Sequence, residues 1–235
     1  MSVNKPLAID LFCGLGGWTE GLLAEGFEVI GFDIEIRPYP AQLVIQDVLT
    51  LHGSQFRNAA LIVASPPCQA YSYRAMPWKR AKALPPPSNE LFDACFRIQR
   101  EASEASSQYI PMVVENVRGA ERWVGRASGK YGSFYLWGDL PALMPICRSI
   151  KAGHPERPYR DGHKSTAHLT NRAEHSLSGI KQPGLSGGGW FYKGAAAFSS
   201  RSNARKAASA QIATIPFPLA QHIARVYRPE VLHVG

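Results

Sequence analysis

The sequence predicts an α/β protein: a doubly wound, mostly parallel sheet with a small irregular lobe. Three observations carry this. Short apolar runs alternate with turns and helical segments from Leu7 to Val117. One of these runs, Ala60–Ser65, is cut off by Pro66-Pro67, as a buried strand ending in a loop would be. Beyond about Gly138 the periodicity fades, and it returns only in the last segment, from Ala204.

The elements follow in order. "LAIDLF" (Leu7–Phe12) is a short apolar strand, "CGLGG" a glycine turn, and "WTEGLLAEG" a helix with Trp18, Leu22 and Leu23 on one side and Gly26 as its stop. "FEVIGFDI" is the second strand, and "LVIQDV" sits where a third strand or its exit loop belongs. "ALIVAS" is the fourth. Residues Asn89 to Gln108 have helical spacing, with Leu91, Phe92, Cys95, Phe96 and Ile98 on one face, and "YIPMVVENV" is a fifth buried strand. The pattern is Rossmann-like. A final helix carries Leu219, Ile223 and Val226 after Pro216 and Pro218. Three segments result: 1–147 as the main α/β domain, 148–200 as a small basic lobe rich in Gly, Ser, His, Arg and Lys, and 201–235 returning to the main domain.

At 235 residues with 45% hydrophobic content, the chain can bury one sizeable core. No run reaches membrane-spanning length and no cleavable leader is recognisable, so a cytoplasmic location is expected. The four cysteines lie far apart without CxxC spacing, which argues against a disulfide framework or zinc knuckle. His154, His163, His168 and His175 are irregularly spaced with no cysteine pair, and read as surface residues or phosphate contacts, so no metal is expected. The net charge of +8 suggests a polyanionic partner, but charge alone favours a merely solvated basic surface, so it serves only to support readings that other residues suggest.

Candidate site residues stand at successive strand ends. Gly14, Gly16 and Gly17 permit a tight turn, close backbone approach by a ligand and a helix N-terminus at the ligand. Alone, such a turn is as readily structural as cofactor-binding. Asp33 ends the second strand, where a carboxylate reaches two ribose hydroxyls, and Asp47 follows the third, within reach of an adenine amino group. Each acid alone fits a solvated loop or helix cap, but glycines, acid and acid at three consecutive strand ends outline a nucleoside-shaped site. Cys68 follows Pro66-Pro67 in a loop, an exposed setting that suits a nucleophile better than a packed thiol; Cys13, Cys95 and Cys147 read as packed. Glu115 ends the fifth strand at the same edge.

Together, "DLFCGLGGWTEGL", "SPPCQ" and "VVENV" resemble, in order, the first, fourth and sixth signature motifs of the cytosine C5-specific DNA methyltransferases, in a compact form with a reduced target-recognition region. "IATIPFPLAQHIA" is similar to the family's C-terminal motif. The resemblance implies the S-adenosylmethionine-dependent methyltransferase fold, with that cofactor held by Leu11, Phe12, Gly14, Gly16, Gly17, Asp33, Ile34, Asp47, Val48 and Pro66. It implies DNA as partner, duplex in form, with the target cytosine extruded from the stack. Cys68 would add to carbon 6 of cytosine, and Glu115, its pKa raised by partial burial, would donate at ring nitrogen 3. Asn116 would fix the loop, and Ala70–Ser88 stands where the family has a mobile loop. Two family features are missing. "VRGAERWVGRASGKYGSFYLWG" lacks the Gln-x-Arg-x-Arg strand, leaving Arg118, Arg122, Arg126 and Lys130 as candidate substitutes, and Ala213-Thr214 stands where a Gly-Asn pair is customary. An RNA or free-nucleotide cytosine methyltransferase, or an inactive nucleic-acid-binding relative, are the alternatives.

Overall fold

The computed structural model describes residues 5–75, 79–147 and 214–229. By its contacts the chain divides into two units, Met1–Ile146 with Ile215–Gly235, and Cys147–Thr214. The lobe expected at 148–200, its histidines and Ala213 lie outside the described residues.

The first unit is built on one seven-stranded sheet of order β3-β2-β1-β4-β5-β7-β6. β1 (Leu7–Leu11), β2 (Glu28–Asp33), β3 (Gln42–Ile45), β4 (Ala59–Ala64) and β5 (Met112–Asn116) run parallel. β6 (Gly129–Tyr131) and β7 (Phe134–Gly138) form a hairpin whose second strand runs antiparallel to β5. The chain order reverses between β1 and β4, the switch point where open α/β sheets form a crevice at their carboxyl ends.

The central strands read as continuous apolar runs because both faces are covered. On one face α4 (Glu90–Ser106) sets Phe92, Cys95, Ile98 and Ala102 against Ile9, Leu11, Ile62, Ala64, Met112 and Val114. On the other lie α1 (Gly17–Ala24) and α6 (Phe217–Tyr227), which bury Trp18, Leu22, Leu219 and Ile223. The two helices touch at backbone distance: a Cβ on Gly21 would stand 2.4 Å from the Gln221 nitrogen. Glu25 and Arg225 pair across the same contact at 2.7 Å. The segment resembling the C-terminal motif thus completes the α1 face of the sheet.

Between these come α2 (Gln69–Arg74), α3 (Lys79–Lys82) and α5 (Glu121–Val124). The observed α4 begins at Glu90 with Asn89 at its N-cap, one residue inside the expected start. Two features depart from the simple pattern. The β6–β7 hairpin occupies the stretch where no strand was expected, and β2 connects to β3 through residues 34–41 with no helix.

Candidate active site

The glycine turn begins where β1 ends. Leu11 is buried, and Phe12 takes the left-handed conformation (φ 57), which is uncommon for a bulky residue and is tolerated where surrounding structure imposes it. Gly14 (φ 54) and Gly16 (φ 83) share that conformation, and Gly16 caps α1, whose first residue is Gly17. Their needs differ. A Cβ on Gly14 would meet nothing nearer than the Phe12 oxygen at 4.0 Å, so the space above it is open, whereas a Cβ on Gly16 would lie 2.6 Å from Pro40. α1 has no side-chain cap from Gly16, and of its first-turn amides that of Thr19 faces the buried Asp10 carboxylate.

Asp33, the last residue of β2, ties this turn down. Its Oδ2 accepts from the Gly14 amide at 2.9 Å and its Oδ1 from the Glu35 amide at 3.0 Å. The Cys13 amide also bonds the Phe32 carbonyl. Asp33 therefore has a scaffolding role that the sequence did not predict, and each oxygen retains a further acceptor position. Ile34 follows at 68% exposure, an apolar surface held in the open beside the turn. Asp47 caps the short 3-10 helix Val48–Thr50 and accepts from the Leu49 amide, with its side chain exposed, while Val48 is buried.

Beneath the turn is a charged group that the sequence did not mark. Asp10 is fully buried. Its Oδ2 accepts from Thr19 Oγ1 at 2.7 Å, and its Oδ1 has no hydrogen-bond partner among the described residues. Desolvation outweighs the hydrogen bonds from Thr19 and Tyr39 and pushes its pKa from 3.8 up to about 7. The Cys13 thiol is likewise pushed far up by burial and by the neighbouring acids, so it stays protonated.

The second half of the site hangs from β4 and β5. Pro66 is buried, Pro67 exposed and Cys68 half-buried, at the residue that precedes the first turn of α2. The fully buried Asn116 holds this loop: its Nδ2 donates to the Pro66 carbonyl at 3.0 Å, and its Oδ1 accepts from the Val117 amide. Glu115 is the neighbour of Asn116, half-buried, and opposite Leu136 of β7. Strand alternation puts Met112 and Val114 on the α4 face and Glu115 on the α1 face, which Asp10 shares. Trp18 of α1 reaches the β4 exit on that face, donating its indole N–H to Ser65 Oγ at 3.0 Å. The two predicted catalytic residues thus sit on the exits of paired parallel strands, with a side-chain amide fastening one exit to the other.

A cavity of about 300 Å³ lies beside this loop, between Pro66, Pro67 and Tyr71 on one side and Ser88, Leu91 and Phe92 of the α4 start on the other. Sequence reading missed these α4 residues; the helical spacing of Leu91 and Phe92 marked them as core only. It also missed the role of Arg74, which bonds the Ala70 and Pro85 carbonyls and so joins the two limbs of the 70–88 segment. Among the described residues no cluster of His, Cys, Asp and Glu could hold a metal ion, and no helix is long and apolar enough to cross a membrane.

Residues 7–122 match the family described as C-5 cytosine-specific DNA methylase. The matched segment belongs to that family. It contains the glycine turn, Asp33, Asp47, Cys68 and Glu115. Among curated protein sequences, none matches the chain. Solved structures similar to the chain include a protein described as a DNA modification methyltransferase encoded within an E. coli prophage, at 25% identity and a TM-score of 0.37, covering 52% of this chain and 35% of that one. A Spodoptera frugiperda DNMT2 mutant matches at 20% identity and 0.35, covering 50% and 37%, and S. pombe Dnmt2 methyltransferase at 12% and 0.49, covering 95% and 98%. The chain thus spans 35% and 37% of the length of the first two. The strand beside β5, β7, lies beyond the matched residues; it reads "FYLWG" and carries no Gln-x-Arg-x-Arg triplet.

Proposed function

We propose that the chain is an S-adenosylmethionine-dependent cytosine C5 methyltransferase acting on DNA, with Cys68 as nucleophile and Glu115 as proton donor. The observation that carries this reading is the Asn116 bond to the Pro66 carbonyl, which fixes the Cys68 loop against the strand end bearing Glu115. The switch point beside it supplies the cofactor side: a turn with open space above Gly14, an uncapped α1 and the exposed Ile34 suit a nucleoside with a small charged tail. Leu11, Phe12, Gly14, Gly16 and Gly17 would approach it through backbone, Asp33 the ribose hydroxyls, Ile34, Asp47 and Val48 the adenine, and Pro66 its inner side.

When bound, S-adenosylmethionine supplies an electrophilic methyl group. The chain's own residues make carbon 5 able to accept it. The Cys68 thiolate forms a bond to carbon 6, the ring electrons move toward carbon 5, and the charge that develops at nitrogen 3 is met by a proton held on Glu115. Once carbon 5 carries the methyl group, a base removes its hydrogen and the C6–S bond breaks, returning Cys68 as thiolate. The pyrimidine must leave the base stack to reach a half-buried sulfur in a loop. Basic residues near the same edge, among them Lys79, Arg80 and Lys82 of α3 and Arg118, suit phosphate contacts.

Labelled S-adenosylmethionine offered with duplex DNA, single-stranded DNA, RNA and free cytidine nucleotides tests the reading. Label should appear on carbon 5 of cytosine in duplex DNA and vanish with Cys68→Ala. Label on RNA or nucleotide alone would move the substrate to that class, and a protein that binds DNA but never forms a covalent adduct on 5-fluorocytosine would be a binder.

A further inference from the structure

The connection from β2 to β3, residues 34–41, has no helix to give it a place on the sheet, yet it is anchored. Tyr39 anchors it. The ring packs on β2 at Gly31, where an added Cβ would be 2.3 Å from its Cζ, and its hydroxyl lies 2.5 Å from Thr19 Oγ1 and 3.5 Å from Asp10 Oδ2. The next residue, Pro40, rests on Gly16, the cap of α1. Gly16 and Gly31 are therefore bare because the connection presses on them, in contrast to Gly14. The connection starts at Asp33, whose carboxylate holds the Gly14 amide, so connection and glycine turn are joined at both ends.

We propose that Tyr39 is a positioning residue for the cofactor, acting through its hydroxyl bond to the Thr19–Asp10 pair to hold Asp33 and Ile34 against the glycine turn. The inference rests on the cofactor reading above. Tyr39 does not touch the ligand; it sets the spacing between the two walls that would. A hydroxyl bonded to Thr19 of α1, with the buried Asp10 carboxylate of β1 at 3.5 Å, suits this task better than ring packing alone, because these two partners fix its direction.

The test is the affinity of the full chain for S-adenosylhomocysteine, measured by calorimetry, together with KM values for S-adenosylmethionine and for DNA. Tyr39→Phe keeps the ring and should weaken cofactor affinity about fivefold, the share of one neutral hydrogen bond, raising KM for cofactor and leaving KM for DNA unmoved. Thr19→Val removes the bond to Tyr39 and the one to Asp10 as well, so it should weaken affinity at least as much, and the double variant should lose less than the product of the two, since the Tyr39–Thr19 bond is common to both. Tyr109→Phe, the same deletion at the opposite end of β5, serves as control and should leave affinity unchanged. If Tyr39→Phe lowers the melting temperature but binds cofactor like the parent, Tyr39 is only a prop and the proposal is overturned. If the parent, folded, binds no S-adenosylhomocysteine, the cofactor reading fails and takes this inference with it.

Discussion

Under the proposed function single side chains carry the chemistry, and their expected effects separate. Glu115→Gln keeps the shape but loses the proton, and should cut kcat by about 10²–10⁴ while Cys68→Ala removes activity altogether, both read by methyl transfer to DNA. Asp10 makes a different prediction, about stability. Its folded pKa near 7 lies above the ordinary 3.8, so between these values the folded chain holds a proton that the unfolded chain releases. Stability from this group is full below pH 4, falls as pH rises and is lost by pH 7, a span of up to about 4 kcal/mol. Thr19, Tyr39, Cys13 and Asp33 are the groups that face it. Asp10→Asn should flatten that part of the curve, so the difference between variant and parent in denaturant melts should grow from pH 4 to pH 7.5 in the variant's favour; an unchanged difference would contradict it. The place of Cys68 in a loop at the end of β4 was legible from the two prolines, but its half-burial was not, since an exposed setting was expected. Tyr39 was not legible, since its partners sit 20 and 29 residues away and nothing local marks it.

At the level of elements, the sheet and its helices were readable wherever periodicity is strong, as in β4 and α4. The β6–β7 hairpin was not, although a signal was present: "KYGSFYLW" holds a glycine turn, with Gly132 left-handed, between residues of β-type. The absent helix between β2 and β3 could be read only from the shortness of the segment. How α1 meets α6 was beyond sequence, because Gly21 looks like any helical glycine until Ala220 and Gln221 are packed on it. Gly21→Ala should cost about 1–3 kcal/mol, since the atoms in its way are mostly backbone and cannot give, and a thermal melt reads it directly. Losing the exposed Arg225 side of the Glu25 pair should leave the thermal melt nearly unchanged. Asn116→Ala should orphan the buried Pro66 carbonyl and lower the melting point by the equivalent of about 1–3 kcal/mol, with a further loss of kcat as the Cys68 loop drifts from Glu115.

Across the whole chain, the first unit is discontinuous, interrupted by residues 147–214. Its two pieces come together near the cut, where His222 Nε2 bonds the Leu143 carbonyl at 2.9 Å. Replacing 147–214 by a short Gly/Ser linker should therefore leave a folded sheet that still binds S-adenosylhomocysteine, with salt-sensitive affinity for DNA reduced. A variant that unfolds would show that the inserted residues help hold the first unit together. The pairing of Glu25 with Arg225 spans 200 residues, and this has a consequence for synthesis. At ribosomal speeds the nascent α1 waits roughly 10–40 s for its partner helix to emerge. Throughout that interval the Gly21 side of α1, on which Ala220 and Gln221 later pack, stands uncovered on the growing polypeptide.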